Sequence, residues 1–127
     1  MRKYLIFLFL FACANQPTKE LIESSDYGPK PKDYKNLVIT YMQTTLKDPD
    51  SAKYNWNREP TKMWVVNPHG SGHLFGWGTC ALINAKNGFG GFSGFQKYFF
   101  FFKDNQIKAF QKDEFDIYCS NGFNEVK

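Results

Sequence analysis

An unbroken apolar run, residues 4–11, follows the basic start Met1-Arg2-Lys3 and gives way to a polar stretch, residues 14–32. The run is far shorter than the ~20 residues needed to cross a bilayer, so it reads as an export signal and not as a membrane span. Pro17, Gly28, Pro29 and Pro31 punctuate the polar stretch, and its few apolar residues predict a loose tether spanning roughly 20–25 Å. Tyr34, Leu37, Val38, Tyr41, Met42, Thr45 and Leu46 then recur at helical spacing behind Asp33, a candidate N-cap. Pro49 ends that run, and Asp48 is placed to cap a second short turn with Pro49 at its first position.

From Lys62 onward the period changes to that of strands. Runs at 63–66, 74–84, 96–102 and 106–110 are separated by turn clusters at 67–72 and at Asp104-Asn105, and Phe115, Ile117 and Cys119 alternate as a last strand would. The pattern predicts an α+β fold with one N-terminal amphipathic helix packed on a 4–5-stranded antiparallel sheet. The strand at 98–102 is aromatic on both faces, which predicts a central position, covered by the helix on one side and by loops or a partner on the other.

The end of the apolar run carries chemistry. Leu10-Phe11-Ala12-Cys13 reads as a lipobox, so Cys13 is expected to be lipidated after removal of residues 1–12, in a bacterial envelope. The alternative is ordinary secretion with cleavage at Ala12-Cys13-Ala14. Ala14 stands where an Asp would favour inner-membrane retention, so by lipoprotein sorting rules an outer-membrane anchor is preferred if the cell is Gram-negative. The chain thus divides into a signal at 1–12, a lipidated cysteine and tether at 13–32, and one domain at 33–127.

Charge and cysteines follow from that division. Losing Arg2 and Lys3 with the signal takes the formal charge from +4 to +2, and no concentrated basic face remains for a nucleic acid. With Cys13 assigned, Cys80 and Cys119 are left as a pair, which in an exported domain reads as a disulfide. Closing a loop of about 40 residues stabilises the fold by ~4 kcal/mol on the chain-entropy picture.

Four glycines and three phenylalanines interleave at 84–95, the most unusual stretch of the chain. Such a loop can present Phe89 or Phe92 to a partner while its N–H groups meet an anion or a peptide carbonyl. The blander alternative, a bulged turn with its phenylalanines folded back on the sheet, is preferred on general grounds, because exposed aromatics are a liability unless occupied. Gly88-x-Gly90-x-x-Ser93 lacks the third glycine and the following helix of a dinucleotide fingerprint. His69 and His73 flank Gly70-Ser71-Gly72 in a pattern that fits neither a helical zinc motif nor a nucleophile elbow, so they read as exposed loop histidines. Between Glu59 and Asp104 there is no carboxylate. Glycosidase chemistry would need Asp48, Asp50 or Glu59 to meet Asp104, Asp113, Glu114 or Asp116 in space.

Leu46-Lys47-Asp48-Pro49-Asp50-Ser51-Ala52, together with Cys80-x-x-x-Asn84-x-Lys86-Asn87-x-x-Gly90-Gly91-x-x-Gly94, resembles a group of short exported bacterial proteins, many of them lipoproteins, with no established activity. The resemblance implies an envelope location and a shared fold, and it brings no catalytic residues. The reading is therefore a membrane-anchored, non-catalytic envelope lipoprotein, without cofactor or metal, that contacts an envelope protein or a cell-wall glycan. The polar cluster opening the glycine loop marks Asn84, Lys86, Asn87 and Phe92 as partner-binding candidates, because a purely structural turn would not require it. The alternatives are an inhibitor of a cell-wall hydrolase such as lysozyme, with a lysine plugging a carboxylate-lined cleft, and an enzyme acting on envelope polymers.

Overall fold

The structure is a computed structural model that describes residues 16–56, 58–114, 116–119 and 126. The export signal at 1–12, Cys13 and Phe115 lie outside the described residues. Among the described residues the chain is α+β, with two small helices, α1 (Lys19–Ser24) and α2 (Tyr34–Met42), where the sequence pattern gives one over that stretch. Five strands follow: β1 (Asp48–Asn55), β2 (Thr61–Val66), β3 (His73–Lys86), β4 (Gln96–Lys103) and β5 (Gln106–Lys112).

All pairings are antiparallel, and the long strand β3 organises them. Its first half pairs with β2, from Val66 opposite His73 to Thr61 opposite Gly78. Its second half pairs with β1 along the same edge, and β4 runs along the other edge from Trp77–Phe102 to Ile83–Gln96. Beyond β4 lies β5, joined by a two-residue turn in which Asp104 and Asn105 both have positive φ, the twist a tight hairpin demands. Two glycines of β3 are required by close approach. A Cβ on Gly78 would sit 1.8 Å from Met63 Sδ, and one on Gly76 2.3 Å from the Phe102 carbonyl oxygen.

Strand β4 is internal to the sheet, and its four consecutive phenylalanines divide between two cores because side chains alternate along a strand. Phe100 and Phe102 are buried with Ala81, Ile83 and with Val38 and Met42 of α2. Phe99 and Phe101 are buried with Met63, Val65 and Cys80, and Tyr118 and Cys119 pack against them. At ~25 cal/mol per Å² of apolar area removed from water, each ring contributes about 2–3 kcal/mol to its side of the sheet.

The helical stripe is cut short. α2 stops at Met42, and the amides of Thr44 and Thr45 bond to carbonyls three residues back while both threonine hydroxyls donate to the Tyr41 carbonyl. This local competition tightens the last turn, leaving Thr45 exposed while Leu46 still reaches the core. Asp33 precedes α2 but makes no side-chain cap bond.

Three expectations are corrected. Residues 48–50 do not form a helical turn but open β1, where Ser51 Oγ donates to the Asp48 carbonyl across a register shift; Pro49, with no N–H to pair, is tolerated in such an irregular edge strand. Ile117 and Cys119 belong to no strand. The buried Asp113 carboxylate accepts the amides of Ile117, Tyr118 and Cys119 at 2.7–3.0 Å, which turns the chain back so that Cys119 forms the expected disulfide with Cys80. The stretch read as a loose tether carries α1, capped by Thr18 Oγ1, and is fixed to the sheet at residues 26–28. Tyr27 is buried edge-on to Phe75 at 5.7 Å, Trp77 Nε1 donates to the Gly28 carbonyl, and the Lys103 ammonium donates to the Asp26 carbonyl. One aromatic in a ready notch is enough to fix a segment too polar to form a core of its own.

Candidate functional site

The glycine-phenylalanine loop joins β3 to β4 and is shaped from inside by two asparagines. Asn87 Oδ1 accepts the amides of Phe89 (2.9 Å) and Gly91 (3.3 Å), its backbone N–H donates to the Gly91 carbonyl at 2.8 Å, and its amide nitrogen reaches Ser93 Oγ at 3.3 Å. Asn84 Oδ1 accepts the Gly94 amide at 3.1 Å. Gly90 and Gly94 take positive φ values of 82° and 92°, which non-glycine residues adopt only at a cost. The expectation that a structural turn has no use for this polar cluster therefore does not hold, for the turn employs both side-chain oxygens.

Nor does Phe89 fold back on the sheet. Phe89 is fully exposed, and Phe92 and Phe95 are 43% and 50% exposed. Phe92, opposite Lys86 in an isolated bridge, has the Lys53 ammonium 4.8 Å and the Lys86 ammonium 5.8 Å from its ring centre. Two cations on one ring hold it in place while keeping water around their charges.

Topology adds lysines that sequence reasoning missed. A groove of about 280 Å³ beside the loop is lined by Lys47, Lys86 and Lys112 with Thr45, Asn87 and Ser93, and among the described residues no carboxylate lines it. Lys47 precedes β1, Lys112 ends β5, and Lys53 faces Asn84 across the β1–β3 pairing, so these residues meet only through the sheet. Of the cations, Lys112 is tied to Glu114 at 3.5 Å. The available signal was Lys47, which lies in the first of the two motif stretches quoted above.

The other sequence candidates sit elsewhere. His69 is exposed in a turn closed by Asn67 Oδ1, and His73, the first residue of β3, is half-buried edge-on to Trp64 at 5.5 Å. Among the described residues no group of three or more His, Cys, Asp or Glu side chains could hold a metal ion. Four of the seven carboxylates that glycosidase chemistry would recruit have partners of their own: Glu59 with Lys30, Asp116 with Lys97, Glu114 with Lys112, and Asp113 with three amides. Among the described residues no helix is long and apolar enough to cross a membrane. No protein-family model, curated protein or solved structure compared with the chain matches it.

Proposed function

We propose that the chain is an exported, lipid-anchored and non-catalytic envelope module that binds an anionic partner, a protein or a cell-wall glycan, through residues 87–95 and the lysines around them. The observation that carries this reading is Phe89, a fully exposed aromatic at the tip of a loop whose shape is fixed by asparagine side chains. An apolar ring held out on a preorganised loop loses little entropy on docking, and the flanking ammoniums favour an acidic contact surface. Placement supports the same reading. The segment leading back towards Cys13 is fixed near Phe75, Lys103 and Asp104, whereas the loop lies at the opposite end of β3 and β4, roughly 25–35 Å away at ~3.3 Å per strand residue. A domain anchored at its N-terminal end would hold the loop away from the lipid.

Cosedimentation of the chain with isolated envelope material tests the reading. Binding is expected to weaken with salt and to fall at least tenfold in Phe89→Ser and in Lys86→Glu; equal retention of both variants removes it. The second reading, an inhibitor that plugs the acidic cleft of a cell-wall hydrolase, is supported by Lys86 standing beside a protruding aromatic loop. A lysozyme assay separates the two, since an inhibitor slows lysis at stoichiometric concentration and a simple tethering module does not.

A further inference from the structure

The end of the sheet opposite the loop carries a second concavity with different chemistry. The β2–β3 arm extends past the last β4 pairing, and the notch between that arm, the β4–β5 hairpin and residues 25–26 is a groove of about 530 Å³. The half-buried Leu74 and Phe75 supply its accessible apolar lining, and the fully buried Phe101 backs them. Lys103, Lys108, the two histidines, Asn67 and Ser25 supply its polar lining, and among the described residues Asp26 is the lone carboxylate there. This is the make-up of a small-molecule site, an apolar recess of several hundred Å³ with a few convergent polar groups.

The polar groups are held in place. Asp26 Oδ1 accepts the Gly28 amide at 2.9 Å, which turns this residue towards its own backbone. The Lys103 ammonium donates to the Asp26 carbonyl, and the Lys108 ammonium donates to Gln106 Oε1 at 2.9 Å. An ammonium has three donors, so each of these lysines keeps two for a ligand. The β2–β3 loop is closed by Asn67, which accepts the His69 amide, so the histidine wall of the groove is formed before anything binds.

We propose that this groove binds a single-chain amphiphilic anion, a fatty carboxylate, with its hydrocarbon chain against Leu74 and Phe75 and its carboxylate between Lys103 and Lys108. Charge complementarity selects the anion, and the apolar lining selects a body that a simple sugar or inorganic ion does not have. The site is independent of the aromatic loop, being at the other end of the sheet, so its failure leaves the loop reading untouched and the reverse also holds.

The test uses the full chain carrying Cys13→Ser, so that no attached acyl group competes, and sodium dodecanoate below its micellar concentration as the probe. Saturable binding is expected by calorimetry, with amide shifts confined to residues 67–75 and 101–108. Dodecanol, which has the chain without the charge, is expected to bind at least tenfold more weakly, and so is dodecanoate to the Lys103→Met/Lys108→Met variant. Lys108→Glu alone, at an exposed position, gives the same direction of change should the double variant fold poorly. Absence of saturable binding, equal affinity for dodecanol, or shifts centred on residues 84–95 would each overturn the proposal. Binding to anionic phospholipid vesicles without binding to monomeric dodecanoate would overturn it as well, by showing a membrane-contact face in place of a ligand groove.

Discussion

Ser51 Oγ accepts the backbone amide of Lys86 at 2.9 Å while donating to the Asp48 carbonyl at 2.7 Å, so one hydroxyl closes the irregular start of β1 onto the end of β3 where the aromatic loop begins. The residues 46–52 and 80–94, far apart in sequence, are thereby neighbours, with Asp48 opposite Lys86. That contact also explains why Lys47 and Lys53 frame a loop they do not belong to.

Ser51→Ala removes both bonds at once. A loss of about 1–2 kcal/mol is expected, since each net hydrogen bond contributes roughly 1 kcal/mol, and the Tm should fall by about 5–10 °C. Hydrogen exchange at the Lys86 amide should quicken by more than global unfolding accounts for. Unchanged protection of that amide would mean that Ser51 does not secure the loop.

Asn87 separates loop shape from loop chemistry. Asn87→Asp keeps the oxygen that accepts the Phe89 and Gly91 amides, whereas Asn87→Ala leaves both without that partner. The alanine variant should lose about 1–2 kcal/mol and loosen residues 88–91, and the aspartate variant should keep most of the order, as measured by amide relaxation. Equal loosening in both would assign the shape to the glycines alone.

The two cores should respond independently. Phe100→Ala and Phe101→Ala each remove a fully buried ring, but from opposite faces of β4, and each is expected to cost about 3–5 kcal/mol. In denaturant titrations the effects of Met42→Ala and Met63→Ala, which lie on α2 and β2 and in different cores, should add to within ~0.5 kcal/mol where the double variant still folds, while Phe89→Ser, whose ring is fully exposed, should shift stability by less than ~0.5 kcal/mol.

Tyr54 offers a case where removing a polar atom helps. Its hydroxyl is buried without a hydrogen-bond partner among the described residues, and its ring stacks on Trp56 at 5.0 Å. Tyr54→Phe should therefore be neutral or stabilising by up to about 1 kcal/mol. Burial raises the pKa of Tyr54, and burial together with the Asp113 charge raises that of Tyr118. A folded-state pKa above the unfolded value means that the folded chain holds these protons more tightly. The stability they contribute is complete below about pH 10 and is lost as pH rises through their folded pKa values, so the Tm should decline on the alkaline side of pH 10, less steeply in Tyr54→Phe.

Much of the sheet was legible in the chain. Alternation and turn chemistry located four strands, the Asp104-Asn105 hairpin and the internal position of β4, and cysteine parity anticipated the Cys80–Cys119 bond. What escaped depended on partners distant in sequence or on a side chain competing with the local pattern. Asp48-Pro49 carries turn residues, yet β1 forms because Ser51 and Lys86 are brought together across the sheet. Ile117 and Cys119 alternate like a strand, yet Asp113 captures their amides first. Tyr27 lies in a polar stretch, yet Phe75 and Trp77 give its segment a place to bind. Of the site, the sequence exposed the loop and Lys86 but not the other lysines around it, whose meeting is a product of strand order.

The account rests on Phe89 facing a partner, and the most direct measurement replaces that residue by a photoreactive phenylalanine analogue in the full chain and illuminates intact cells. Defined adducts at position 89 are expected, and they should vanish when Lys53→Glu and Lys86→Glu are added. An analogue placed at Val66, 49% exposed and distant along β3 from the loop, should not give the same adducts. No adduct at position 89, or adducts indifferent to the two charge reversals, would contradict the loop as the binding site.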